Sequence, residues 1–302
     1  MGAIGRKSVA TVAAALAIAA PAYAQDECAA FRARFEAALT VPDFRGAIAV
    51  ENEIALSGAC GNERNPLRAK RAGRQIESAE ALKKSPAHQK EREALLFQAD
   101  EPGLLWTAAY AIGELHMEKK RYKEAVQAFE RSITLAGGNK TNPVSPAIIE
   151  DLVKASYEAR AFADGYVSVA HNTRGGVGGS LDRGIPVRKV PLPIQFETDR
   201  DELTPVGRQY ADELAAAINE QRPAVIILEG HTDERGTDAH NMDLSKRRVE
   251  RVAAYLKREK GVAARIETRA RGKTEPYVPQ NASNLTNEQL WELNRRVVWQ
   301  RN

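Results

Sequence analysis

The residues best suited to chemistry lie between positions 230 and 248, where the sequence reads G-H-T-D-E-R-G-T-D-A-H-N-M-D-L-S-K-R-R. Asp233 falls in a turn after an apolar strand, and Arg248 falls on the helix that follows. A carboxylate and a guanidinium on rigid supports can together bind a ligand that carries an ammonium and a carboxylate. Backbone N–H groups in the turn at residues 232–236, near a helix N-terminus, offer further donors for an anion. This pattern predicts a site for a zwitterionic ligand.

From residue 190 onward, the apolar pattern alternates between the periods of strands and helices. Strands are expected at residues 190–196, 225–228, 266–270 and 294–300. The first is an edge strand, because it contains two prolines. Helices are expected after Thr204, which is a suitable N-cap followed by proline, and over residues 239–260. This order predicts a compact α/β sandwich.

Residues throughout this region also match the pattern of a known family. The matching residues are Phe196, Gly230, Thr232, Asp233, Gly236, Asn241, Leu244, Ser245, Arg248 and the closing run 294–297. On these residues, positions 188–302 resemble the OmpA-like C-terminal domain, a family that binds peptidoglycan. Two positions depart from the pattern: Val249 replaces the usual alanine, and Arg271 stands where an aromatic residue is common.

The resemblance implies both a fold and a site. The fold is a βαβαβ-type sheet with helices packed on one face. Asp233 and Arg248 would hold diaminopimelate of the peptidoglycan stem peptide, which presents an ammonium beside a carboxylate. Thr232, Asn241 and Leu244 would shape the pocket. Arg296, in the closing motif, is the next candidate for ligand binding.

Structural roles are the alternatives for several of these residues. Asp233 would then cap its turn, and Arg248 would pair with Asp233 as a structural ion pair. Asn241 would hydrogen-bond the backbone of the loop in place of a ligand. Arg295 and Arg296 alternate across a strand, so at most one of them faces the pocket.

Catalysis finds little support in the sequence. His231 and His240 stand near three acidic residues, but they lack a recognised ligand spacing and no motif places a third metal ligand. The chain also lacks a nucleophile elbow, a phosphate loop and a dinucleotide fingerprint. We therefore expect no enzyme, no cofactor and no metal site.

Residues 25–170 have helical periodicity. The clearest pattern spans residues 106–137, two helices joined by a turn at residues 119–121. Four positions there are spaced as in a tetratricopeptide (TPR) repeat: Gly113, Tyr122, Ala125 and Phe129. A repeat at residues 44–60 matches weakly, and residues 146–161 supply a third helix. We expect a small TPR-like array that serves either as a groove for a partner protein or as a spacer.

The two ends of this array are marked by composition. Residues 1–24 read as a signal peptide with Arg6 and Lys7, an apolar run and a small-x-small cleavage pattern. Removing those two basic residues lowers the formal net charge from +4 to +2, which gives no support to a nucleic-acid partner. Residues 171–187 are rich in glycine and predict a flexible linker.

Cys28 and Cys60 are the chain's two cysteines. In an exported protein such a pair favours a disulfide, with two buried thiols as the alternative. The cysteines would meet if the first two helices form an antiparallel hairpin. The acidic residues before Cys28 argue against a lipid-attachment site.

These observations predict a two-domain exported protein. Its parts are a signal peptide at 1–24, an all-α TPR-like domain at 25–170, a linker at 171–187 and an OmpA-like domain at 188–302. Its expected function is non-covalent binding of peptidoglycan, with an envelope protein partner on the helical domain. The expected location is the periplasm, in association with the cell wall and with a peripheral position at the outer membrane as a further option. Two alternatives stay open: a periplasmic scaffold without wall binding, and an inner-membrane-anchored, stator-like protein with an uncleaved N-terminus.

Overall fold

The computed structural model describes residues 22–39, 43–138, 143–163, 165, 189–280 and 282–301. They divide into two units, Met1–Arg71 and Ala72–Asn302. Most of the predicted signal peptide and the whole predicted linker at 171–187 lie outside the described residues. Within the described ranges, no helix is both long and apolar enough to cross a membrane.

The first unit is built from three helices: α1 (Ala22–Ala38), α2 (Arg45–Leu56) and the first part of α3 (Arg64–Ala81). Phe35, Val50 and Ile54 form its buried core. The predicted disulfide between Cys28 and Cys60 is present, with 5.5 Å between the Cα atoms. Because it joins the start of α1 to a residue just after α2, the two helices run antiparallel, as the sequence indicated.

The second unit begins with the rest of α3, which is followed by four helices that lead up to the predicted linker. They are α4 (Gln89–Ala99), α5 (Trp106–Glu118), α6 (Tyr122–Gly138) and α7 (Pro146–Phe162). The α5–α6 hairpin has the predicted bounds and turn. Gly113 lies against the Phe129 ring so closely that a Cβ there would be 2.4 Å from ring carbon Cε1. This close approach fits a TPR-like pair, and the assignment to that repeat stays a prediction.

A four-stranded sheet follows. Its strands are β1 (Lys189–Leu192), β2 (Val225–His231), β3 (Arg265–Gly272) and β4 (Val297–Arg301), in the order β1-β4-β2-β3. The β2–β3 pair is parallel, and the β1–β4 and β2–β4 pairs are antiparallel. The helices of this part are α8 (Pro205–Gln221), α9 (Asp238–Arg258) and α10 (Asn287–Asn294). The predicted α/β fold is confirmed, with β1 at an edge and β2 inside the sheet.

Two predicted boundaries were wrong. The first strand ends at Leu192, although Phe196 still forms an isolated bridge with Leu203. The last strand begins at Val297, three residues later than predicted, because the residues before it complete α10. The sequence interpretation missed α10 altogether.

One hydrophobic core runs from the helices before the linker into the sheet. Ile149 and Leu152 of α7 share it with Val190 of β1 and Leu214 of α8. Beside this core, the guanidinium of Arg160 in α7 is buried between two carboxylates: Glu130 of α6 at 2.5 Å and Glu213 of α8 at 2.9 Å. By its contacts, α7 therefore belongs with the C-terminal sheet. The sequence places the domain boundary at residues 171–187, and that assignment stays a prediction.

Candidate ligand-binding cleft

Small residues bring β2 and α9 together beneath the predicted site. A Cβ on Gly230 would lie 2.6 Å from the Ser245 carbonyl oxygen, so only glycine allows this approach. The Ser245 hydroxyl in turn accepts a hydrogen bond from the Gly272 backbone N–H at 2.9 Å. At the start of α9, the Thr237 hydroxyl accepts from the His240 N–H, which satisfies one of the free donors of the helix. The turn after β2 is thereby fixed against the helix that carries Arg248.

A cleft of about 720 Å³ opens at the carboxyl end of β2. Five of the six predicted ligand-binding residues line it together: Thr232, Asp233, Asn241, Leu244 and Arg248. They meet because the turn after β2 and one face of α9 border the same space. Arg296 does not line the cleft.

Asp233 is the anionic side of the cleft, and its side chain is only 9% exposed. Its carboxylate accepts hydrogen bonds from Arg235, with Nη2 at 2.7 Å and the backbone N–H at 3.1 Å, and from Nη1 of Arg295 at 2.9 Å. Burial raises the pKa of Asp233, but these hydrogen bonds outweigh it, so the pKa lies below its ordinary value. Asp233 is therefore ionised at neutral pH, and it also performs the turn-capping role considered as its structural alternative.

Arg248 is the buried cation of the cleft, with 6% of its surface exposed. Its Nε donates to the Arg200 carbonyl at 2.9 Å and its Nη2 to the Glu197 carbonyl at 3.3 Å, while the guanidinium lies 4.9 Å from the Phe196 ring centroid. Burial, with help from the nearby Arg295 cation, lowers the pKa of Arg248 to about 10. The group remains charged at neutral pH. Within the described ranges it forms no ion pair with a carboxylate, so the structural Asp233–Arg248 pair is not formed.

The other three residues serve the cleft in different ways. The Asn241 amide donates to the Arg235 carbonyl at 2.7 Å, which is the loop-bracing role considered as its alternative. Leu244 contributes a nearly buried apolar surface. The Thr232 backbone N–H bonds to the Gly272 carbonyl, while its buried hydroxyl has no partner among the described residues.

Arg295, and not Arg296, faces the cleft. Arg296 is buried outside the cleft. Its Nη2 donates to the Glu275 carbonyl at 3.0 Å, and its guanidinium lies 5.5 Å from the Tyr277 ring centroid. Arg295 is the C-cap of α10 and points to Asp233. The sequence argument that only one of the two neighbours can face the pocket fits this arrangement. The structure places Arg296, the next ligand-binding candidate, outside the cleft, because the end of the unrecognised α10 sets the direction of the two side chains.

Known proteins are similar to the part of the chain that forms the sheet and the cleft. Residues 195–289 match the sequence profile of the OmpA family. Over 123 residues the chain is 36% identical to a protein of Pseudomonas aeruginosa named peptidoglycan-associated lipoprotein, covering 41% of this chain and 69% of that protein. The chain belongs to the OmpA family. It is also 43% identical over 103 residues to outer membrane protein A of Bordetella avium, covering 34% of this chain and 50% of that protein.

Among solved structures, the crystal structure of the peptidoglycan-associated lipoprotein from Burkholderia pseudomallei is similar, at 27% identity and a TM-score of 0.31. The match covers 39% of this chain and 97% of that one. The OmpA-family profile includes Asp233 and Arg248 and ends before Arg295. It does not include helices α1 to α7.

In this OmpA-family chain, the missed α10 supplies one wall of the cleft. Glu288, Trp291 and Glu292 of α10 line it. Trp291 Nε1 donates to Glu234 at 3.1 Å, and its ring lies 4.4 Å from the Arg235 guanidinium. The signal for this helix is Thr286 followed three residues later by Gln289, which form a capping box in the structure.

Three potential metal ligands come within 4.8 Å of one another: Glu229 and His231 of β2, and Glu275 after β3. The Arg271 guanidinium bonds to both of these carboxylates, so a cation already bridges them. Burial and the nearby Arg296 cation lower the pKa of His231 to about 3, so its ring is neutral. The arrangement is an ion-pair cluster in which Arg271, the departure from the OmpA-family pattern, neutralises the buried Glu229.

Proposed function

We propose that this protein binds peptidoglycan non-covalently through the cleft, with diaminopimelate of the stem peptide as the group recognised. The observation that carries the proposal is Arg248, a buried charged group without a carboxylate partner in the described part of the chain. A buried guanidinium is strongly stabilised by a charge-assisted bond to a carboxylate, and the ligand would supply one. The names of the related peptidoglycan-associated lipoproteins point to the same ligand.

Asp233 provides the complementary contact for the ammonium of the ligand. Its two cationic partners differ from Arg248 because they reach solvent: the side chains of Arg235 and Arg295 are 56% and 33% exposed. An incoming ammonium takes the position of one of them on the carboxylate. The displaced guanidinium remains at the cleft, where it adds positive charge near the ligand carboxylate.

The remaining parts of the proposal concern location and partners. A disulfide suits an oxidising compartment, and with the predicted signal peptide it supports a periplasmic, wall-associated protein, peripheral to the outer membrane. Helices α1 to α7 lie outside the residues that match the family profile. We propose that they recruit an envelope protein, so that the cleft anchors this partner to the wall. The activity proposed is binding and not catalysis.

Co-sedimentation with purified diaminopimelate-type sacculi tests this function. The mature chain should pellet, whereas Arg248→Ala and Asp233→Ala should lose most binding, because removing one partner of a buried charge contact costs about 2–5 kcal/mol. Arg251→Ala is the matched control: Arg251 lies one turn further along α9, is 51% exposed and pairs with Asp201 outside the cleft. If the parent stays in solution, or if Arg248→Ala pellets as well as Arg251→Ala, the scaffold alternative takes the place of wall binding.

A further inference from the structure

The rear of the cleft wall formed by α10 is held by α7, a helix outside the matched family region. We propose that Tyr157 of α7 is a positioning residue for ligand binding, which acts by fixing the end of α10 and with it Arg295. This inference rests on the proposed function. It assigns to the helical part of the chain a role in the affinity of the cleft, in addition to recruiting a partner.

The front and the rear of α10 have different surroundings. Trp291 and the C-cap Arg295 face the cleft. Leu293 between them is fully buried on the opposite side, in a cluster with Tyr157 and Ala161 of α7. Any movement of this rear contact therefore also moves the two cleft residues that flank Leu293 in sequence.

Tyr157 links the two helices directly. Its hydroxyl donates to the Leu293 carbonyl oxygen at 2.6 Å, and its side chain is 1% exposed. Leu293 lies in the last turn of α10, where carbonyl oxygens lack partners within the helix. The tyrosine hydroxyl supplies that partner. Two residues further on, Arg295 reaches Asp233 at 2.9 Å.

A second link connects α7 to the end of α10 through Glu158, the residue after Tyr157. Its Oε1 accepts hydrogen bonds from the Tyr277 hydroxyl at 3.2 Å and from the Gln280 N–H at 3.0 Å. The Tyr277 backbone N–H then donates to Oδ1 of Asn294, the last residue of α10, at 2.8 Å. Both links end within two residues of Arg295, so they restrain its position from two directions.

The support itself is rigid. Arg160, one turn beyond Tyr157, is locked between Glu130 and Glu213, and α7 shares the core of the sheet. A contact built on such an element holds a binding group more accurately than a contact built on a loop. By this geometry, α7 fixes the backbone position from which the Arg295 guanidinium reaches the cleft, before the ligand arrives.

The test is the dissociation constant of a soluble diaminopimelate-containing muropeptide, measured by calorimetry for the full mature chain. Tyr157→Phe removes only the hydroxyl, and we expect it to weaken binding about three- to tenfold, because the end of α10 loses a restraint and Arg295 must then be ordered when the ligand binds. The free energy of the lost hydrogen bond sets the upper limit of this effect. Tyr255→Phe is the matched control, since its hydroxyl bonds to Asp212 at 2.7 Å away from the cleft. It should bind as the parent does. Thermal unfolding of each variant establishes that it is folded at the temperature of the titration.

A double-mutant cycle separates positioning from a general loss of stability. If Tyr157 acts through Arg295, Tyr157→Phe should weaken binding much less in an Arg295→Ala background than in the parent. Equal effects in both backgrounds, or a folded Tyr157→Phe that binds like the parent, would overturn the positioning role while leaving the proposed function intact. A parent that does not bind the muropeptide at all overturns the proposed function, and the positioning role with it.

Discussion

Arg295 and Asp233 form an ion pair across the cleft, with 2.9 Å between Nη1 and Oδ2. The two residues are 62 positions apart in the chain. The pair joins the turn after β2 to the end of α10. Asp233 is nearly buried, so its carboxylate is fixed. The backbone of Arg295 is held at the end of α10, whereas its guanidinium is about one-third exposed and can adjust to a ligand. The cleft thus combines a rigid anion, a rigid cation in Arg248 and a movable cation in Arg295.

The neighbouring arginines provide a first prediction, because they differ in direction. Arg295→Ala should lower the affinity for sacculi about tenfold or more, since the charge lies at the ligand. It should cost less stability than Arg296→Ala, because Asp233 keeps its hydrogen bonds to Arg235. Arg296→Ala should lower the free energy of unfolding by about 1–3 kcal/mol, because it removes a buried side chain together with its hydrogen bond to the Glu275 carbonyl. Co-sedimentation and urea unfolding on both variants check this. Loss of binding confined to Arg296→Ala would contradict the placement of the two side chains.

His231 provides a prediction about acid stability. Its pKa is about 3 in the folded chain and close to its ordinary value of 6.5 when unfolded. The folded state therefore favours the neutral ring, and stability is complete above pH 6.5 and falls as the pH drops from 6.5 towards 3. Between pH 6.5 and pH 4.5 the parent should lose about 2 kcal/mol more than His231→Gln in urea unfolding. His88→Gln, changed at an exposed turn, is the control and should follow the parent; identical pH profiles for all three would refute the assignment.

Gly230 tests the contact between β2 and α9. Alanine there would place Cβ 2.6 Å from the backbone oxygen of Ser245, which cannot rotate away. Gly230→Ala should cost about 1–3 kcal/mol of stability and weaken binding, because α9 carries Arg248. Gly73→Ala is the comparison: this helical glycine faces open space, and the change should stabilise α3 by about 0.5–1 kcal/mol. Equal stability of the two variants would show that β2 and α9 have room to separate.

The disulfide should stabilise only the first unit, which contains both cysteines. Replacing Cys28 and Cys60 by serine opens a loop of about 30 residues, which the chain-entropy model values at about 3–4 kcal/mol. We expect limited proteolysis to cut the variant faster within residues 22–71, while its binding to sacculi stays at the parental level. Loss of sacculus binding in a variant that is still intact beyond residue 72 would contradict this separation.

Much of the C-terminal fold was predictable because its signals are local. Thr204 followed by proline was expected to begin a helix, and Thr204 is the N-cap of α8. The apolar run at 225–228 forms most of β2. The helix α10 was missed because its eight residues contain only two apolar side chains, Leu290 and Leu293, and one tryptophan. The strongest signal for this helix was the capping box of Thr286 and Gln289. Both residues are polar, so this segment resembles a loop in sequence.

The site was predictable to the extent that its residues are neighbours along the chain. Asp233 and Arg248 belong to a turn and the helix that follows it, so their spacing predicted that they lie close together, and the resemblance to the OmpA-like family pointed to a shared ligand. Arg295 comes from a distant segment, and its direction depends on where α10 ends. Tyr157 and Leu293 are 136 positions apart, and no periodicity links a helix of one region to a helix of another.

The docking of α7 also bears on the glycine-rich stretch between α7 and β1. Val153 of α7 and Val190 of β1 lie in one core, so the two flanks of this stretch are fixed to the same body. Lengthening the stretch would cost only about 0.6 kcal/mol of closure entropy for each doubling, and it would not move α7 away from the cleft. Natural or engineered insertions there should therefore be tolerated without changing the distance between α7 and the cleft. Extra residues at this point would lengthen the chain without lengthening the distance that the protein spans between α7 and the cleft.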